Sequence, residues 1–113
     1  IVPITGGTIG FPGQVQWSAN TKSMNVGDQD TFSAPTVYQV SSSGAITGST
    51  VLTCENSSGC DYTGTFIKGS SLVAASGNQI LEYPYPAGGN PTKVLTPSQL
   101  SGAGSVVISP NVP

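Results

Sequence analysis

Ser71-Leu72-Val73-Ala74-Ala75-Ser76-Gly77-Asn78-Gln79-Ile80-Leu81-Glu82-Tyr83 reads as two short strands folded back on one another. Ser71–Ala75 and Gln79–Tyr83 are short apolar-rich runs, and Ser76-Gly77-Asn78 between them is turn chemistry. Glycine at such a point supplies the positive φ that a tight hairpin requires. Runs of this length, bounded by Gly, Pro, Asn or Ser, are the signature of strands and not of helices.

The same pattern extends in both directions. Gln14-Val15-Gln16-Trp17-Ser18 alternates, with Val15 and Trp17 on one face. Thr36–Val40, Thr50–Cys54, Tyr62–Ile67 and Ser105–Ile108 are further strand candidates rich in β-branched and aromatic residues. Ser42-Ser43-Gly44, Ser58-Gly59 and Lys68-Gly69-Ser70 punctuate them. The stretch from Thr36 to Tyr83 therefore reads as a meander of consecutive hairpins. Only Thr96-Pro97-Ser98-Gln99-Leu100 looks helical, as a single turn stopped by Gly102. Tyr83-Pro84-Tyr85-Pro86 reads as stiff and extended, unsuited to a central strand. The expected fold is all-β: a single compact β-sandwich or partly closed β-barrel over residues 1–113, of roughly seven to nine strands.

Cys54 and Cys60 are the only cysteines and bracket a five-residue loop. An even count at close spacing predicts a disulfide, since a zinc site would need two more ligands and the chain has no histidine. A ring of this size contributes about 2–2.5 kcal/mol by the chain-entropy model. The bridge is expected to cap one hairpin. Asn56-Ser57-Ser58 inside it is an acceptor sequon, so Asn56 is a candidate glycosylation site.

Charge excludes more than it includes. Eight residues are ionic, namely Lys22, Lys68, Lys93, Asp28, Asp30, Glu55, Asp61 and Glu82, and there is neither histidine nor arginine. The side chain that titrates near neutrality unaided is thus missing, as is the preferred clamp for phosphate. A Ser–His–Asp triad is impossible. Asp61 and Glu82 could serve glycoside hydrolysis only if folding brought them together, which nothing in their positions indicates. Asp28 and Asp30 lie in Gly27-Asp28-Gln29-Asp30-Thr31, which lacks the rest of an EF-hand pattern and reads as a solvated turn. No catalytic residue, metal or cofactor is expected, and the protein is not expected to be an enzyme. Three lysines against five acids leave no basic patch for nucleic acid. No apolar run is long enough to span a membrane as a helix, so no insertion is expected.

Aromatic residues are the remaining functional handle. Trp17, Phe32 and Phe66 are expected in the core, whereas Tyr83 and Tyr85, held apart by prolines, are candidates for an exposed ligand-binding platform. The chain begins at Ile1 without a basic and apolar leader pattern, which fits either a signal peptide already removed or a sequence that simply starts at this point, and the expectation is a secreted, extracellular protein. A surface covered by Ser, Thr, Asn, Gln and Gly titrates little and suits an uncontrolled outside medium.

In overall character, a Ser/Gly/Thr-rich acidic β chain with one short-range disulfide, the sequence resembles the small secreted proteins of filamentous fungi. The segments Val2-Pro3-Ile4-Thr5-Gly6-Gly7 and Cys54 to Cys60 carry that likeness. Some such proteins are elicitors or effectors that trigger plant defence or cell death. The resemblance implies a non-catalytic monomer that acts on a host cell-surface protein or cell-wall glycan. It carries over no functional residue. Bacterial adhesin domains share the same low-charge β style, and the alternative is a carbohydrate-binding or adhesin-like module using its tyrosines.

Overall fold

The computed structural model describes residues 1–31, 33–54, 60, 62, 64–102 and 106. Among them are eight strands and no helix: β1 (Pro12–Ser18), β2 (Ser23–Asp28), β3 (Thr36–Val40), β4 (Ile46–Val51), β5 (Thr65–Lys68), β6 (Ser71–Ser76), β7 (Gln79–Pro84) and β8 (Lys93–Leu95). They form two antiparallel four-stranded sheets, ordered β1-β2-β3-β4 and β5-β6-β7-β8. Neither sheet closes, so the sandwich is the architecture and the barrel is not.

The hairpin that opens the sequence reading is present: Ser76 pairs with Gln79 and Leu72 with Tyr83 across the Gly77-Asn78 turn. Gly69 and Gly77 have φ of 58° and 59°, as two-residue turns between right-twisted strands demand. Four expectations are corrected. The meander from Thr36 to Tyr83 breaks in the middle, because β4 and β5 belong to different sheets. The Cys54–Cys60 bridge (S–S 2.03 Å) therefore staples the crossover between sheets and does not cap a hairpin. Thr96–Leu100 is a turn, closed by Leu100 N–H donating to the Pro97 carbonyl, and not a helical turn. β7 also runs as an interior strand through Tyr83 to Pro84, which is tolerated because β8 reaches only as far as Glu82 and asks for no hydrogen bond beyond it. The predicted strand Ser105–Ile108 and the ring of Phe32 fall outside the described residues.

The apolar core lies on one face of the second sheet. Ile67 of β5, Leu72 and Ala74 of β6, and Leu81 and Tyr83 of β7 point inward and meet Val37, Leu52, Cys60, Tyr62 and Tyr85. Period-two alternation explains the selection, since Leu72 and Ala74 share a face and Leu81 and Tyr83 share its neighbour.

Candidate functional site

The first sheet is amphipathic the wrong way round. Its inward row is Gln16, Asn25, Gln39 and Gly48, one residue from each strand. Gln39 Nε2 donates to Asn25 Oδ1 (3.2 Å) and Thr50 Oγ1 (3.1 Å), and Thr50 Oγ1 donates to the Pro86 carbonyl (2.9 Å). Asn25 Nδ2 donates to the Ser23 carbonyl (3.3 Å). Gln16 reaches across to β5, where its Nε2 donates to the Ile67 carbonyl (2.7 Å) and its Oε1 accepts from the Ile67 N–H (2.8 Å). One side-chain amide thus does for the edge of β5 what a neighbouring strand would do. Buried polar groups are tolerated when partnered in this way.

With amides inside, the apolar residues of this sheet other than Val37, which joins the core, face outward. Trp17, Met24, Val40 and Ile46 form one row across the four strands, and Val15, Val26, Tyr38 and Ser49 form the next. Neither row holds a charged side chain. Trp17 is 56% exposed, Val15 52% and Met24 37%, while Val26 and Val40 in the middle strands are buried. Phe11, just before β1, is 58% exposed. Contiguous exposed apolar surface of this kind marks interaction sites in soluble proteins.

The expected tyrosine platform does not exist in this fold. Tyr83 is fully buried and Tyr85 is 3% exposed. Tyr83 OH donates to the Thr53 carbonyl (2.9 Å) and lies 2.8 Å from Tyr62 OH. The two rings are tilted by 57° with centroids 6.1 Å apart. Tyr85 OH donates to Asn25 Oδ1 (2.6 Å) and lies 2.9 Å from Thr21 Oγ1. The reason is parity: residues 81, 83 and 85 share a side of the chain, and Leu81 is fully buried. Conversely, Trp17 is not a core residue but exposed, and Met24 on β2 is its cross-strand neighbour. Phe66 is half-buried on the outer face of the second sheet. Asn56, Glu55 and Asp61 lie outside the described residues, so the sequon and the Asp61–Glu82 pairing do as well.

The Asp28 and Asp30 segment is a solvated turn only in part: Asp30 is exposed in a turn, whereas Asp28 ends β2 and is buried. Asp28 is buried, and its carboxylate accepts from the N–H groups of Gly10 (3.0 Å), Phe11 (3.1 Å) and Asp30 (3.0 Å). Burial pushes its pKa up, but the backbone N–H groups of Gly10, Phe11 and Asp30 favour the anion and hold it below the ordinary value. The folded carboxyl thus titrates below the unfolded one. Its stabilisation is complete above about pH 4 and is lost as pH falls through the folded value. Asp28→Asn is expected to cost about 1–3 kcal/mol at neutral pH and to flatten the acid limb of stability. Urea unfolding at neutral pH and near about pH 3 checks this; parallel losses in both proteins on acidification would contradict it.

Among the described residues no three His, Cys, Asp or Glu side chains group as metal ligands, and no helix is long and apolar enough to cross a membrane. Val73, Ile80, Glu82, Lys93 and Leu95 line a recess of about 140 Å³ on the second sheet, below the usual size of a small-molecule site. A larger cavity of about 380 Å³ lies over Val26. No protein-family model matches the chain, and no curated protein or solved structure is significantly similar to it.

Proposed function

We propose that this protein is a secreted, non-catalytic recognition module that engages a protein partner on a host surface through the outer face of the β1–β4 sheet, in the manner of elicitor-like proteins. The observation that carries this reading is the pairing of exposed Trp17 with exposed Met24 in one row of that sheet, beside a second row that is equally free of charge. Trp, Tyr and Met are enriched at the centres of protein interfaces, where charged residues are depleted. A disulfide at the sheet crossover suits an oxidising, extracellular setting. The elicitor-like class rests on the character of the chain, namely its low charge, its Ser/Gly/Thr richness and its short-range bridge.

Trp17 is the expected hot spot. Interface tryptophans that anchor a partner cost about 2 kcal/mol or more on truncation, which is a loss of roughly thirtyfold in affinity. Infiltration of the purified protein into plant leaf is expected to elicit a defence response. Trp17→Ser and Met24→Ser should abolish it while remaining folded by circular dichroism. A response of undiminished strength from both variants would refute the assigned surface. A glycan array that registers binding sensitive to Trp17→Ser would replace the protein partner with a carbohydrate. Turnover of a defined substrate by the metal-free protein would replace recognition with catalysis.

A further inference from the structure

The segment before β1 forms a strap over the outer face of the first sheet, pinned at both ends. At one end Thr5 N–H donates to the Gly44 carbonyl and Ile46 N–H donates to the Thr5 carbonyl, both at 2.9 Å. At the other, the Asp28 carboxylate holds Gly10 and Phe11, and Gln29 N–H donates to the Phe11 carbonyl (2.9 Å). Between the pins the strap bridges over β2 and leaves the cavity of about 380 Å³, lined by Ile4, Gly7, Thr8, Ile9, Pro12 and Val26. The close approach is written into two glycines. A Cβ on Gly10 would lie 2.6 Å from Asp30 Oδ2, and one on Gly7 would lie 3.0 Å from Ile46 Cδ1. Those two contacts are to side-chain ends, and the rim is fixed by the backbone hydrogen bonds at Thr5, Ile46, Phe11 and Gln29.

We infer that this cavity is a binding site for a small, uncharged apolar molecule, aliphatic or aromatic, carrying at most one hydroxyl or carbonyl. Its volume falls in the range of small-molecule sites. Among the described residues that line it none is charged, so an ionic ligand would be desolvated there without compensation. Among the described lining residues Thr8 alone has a polar side chain, and its hydroxyl can either donate or accept. Ile4, Ile9, Pro12 and Val26 supply apolar walls, and apolar contact there displaces water that finds few polar partners. This site is separate from the Trp17–Met24 surface assigned to the protein partner, and either assignment can fail alone.

The test titrates the neutral fluorophore N-phenylnaphthylamine into the purified protein. Saturable one-to-one binding is expected, weakened about tenfold or more by Val26→Phe, which fills the floor, and by Ile9→Asp, which places a charge in the wall. Ile9 is only half-buried, so its variant keeps the test sound should Val26→Phe not fold. Trp17→Ser should leave the titration unchanged. Absence of saturable binding, or binding indifferent to Val26→Phe and Ile9→Asp, overturns the site.

Discussion

Tyr83→Ala is expected to destabilise the protein by about 3–5 kcal/mol, the usual cost of removing a large buried aromatic. Such a loss is a large share of the stability of a domain this size. Tyr83 is fully buried between Leu72 across the hairpin and Tyr62. Its hydroxyl ties the second sheet to the Thr53 carbonyl, next to the disulfide that staples the crossover. Removal therefore leaves a cavity and an unpartnered carbonyl together. Tyr83→Phe separates the two contributions: it keeps the ring and is expected to cost about 1 kcal/mol. Urea denaturation of the three proteins measures both. A Tyr83→Ala protein as stable as the wild type would mean that the ring is not in the core.

Gln16→Leu is expected to cost about 2–5 kcal/mol, although leucine is the more hydrophobic residue and matches glutamine closely in size. The Gln16 amide satisfies both the N–H and the carbonyl of Ile67, which is 7% exposed. Each backbone group left buried without a partner costs about 1–3 kcal/mol. The amide is also a direct hydrogen-bonded tie between β1 and β5, hence between the two sheets. The loss should be accompanied by faster amide hydrogen exchange at Ile67, since its N–H proton would have no acceptor. Preserved protection at Ile67 in Gln16→Leu would show that another group takes over.

The β architecture was legible because it is written in local chemistry. Apolar runs of strand length and glycines at the turns place β1, β3, β6 and β7 within a residue or two of where they occur. β2 was not legible: Ser23-Met24-Asn25-Val26-Gly27-Asp28 holds two apolar residues, and its inward positions are Ser23, Asn25 and Gly27. Such a strand looks like a loop unless its amide partners on Gln16 and Gln39 are known, and those pairings are tertiary. β8, Lys93-Val94-Leu95, is too short to carry a period.

The site was hidden by the same inversion. Alternation along β1 shows that Val15 and Trp17 share a face and that Gln16 lies on the other, but it does not say which face meets the second sheet. Ordinary burial preference puts tryptophan inside. Here the amide ladder takes the inside, because its members satisfy one another and the backbone of β5. For Tyr83 and Tyr85 a usable signal did exist in the parity with Leu81. The flanking prolines drew attention to their stiffness and away from their shared face.

Gln16 and Trp17 are consecutive residues on opposite faces of one strand, so comparing them tests the inverted sheet directly. Equilibrium unfolding in urea should show Gln16→Leu destabilised by about 2–5 kcal/mol and Trp17→Ser by less than about 1 kcal/mol. The opposite ranking, with the loss of tryptophan severe and the loss of glutamine harmless, would place the apolar face of this sheet in the core and remove the surface on which recognition is proposed to rest.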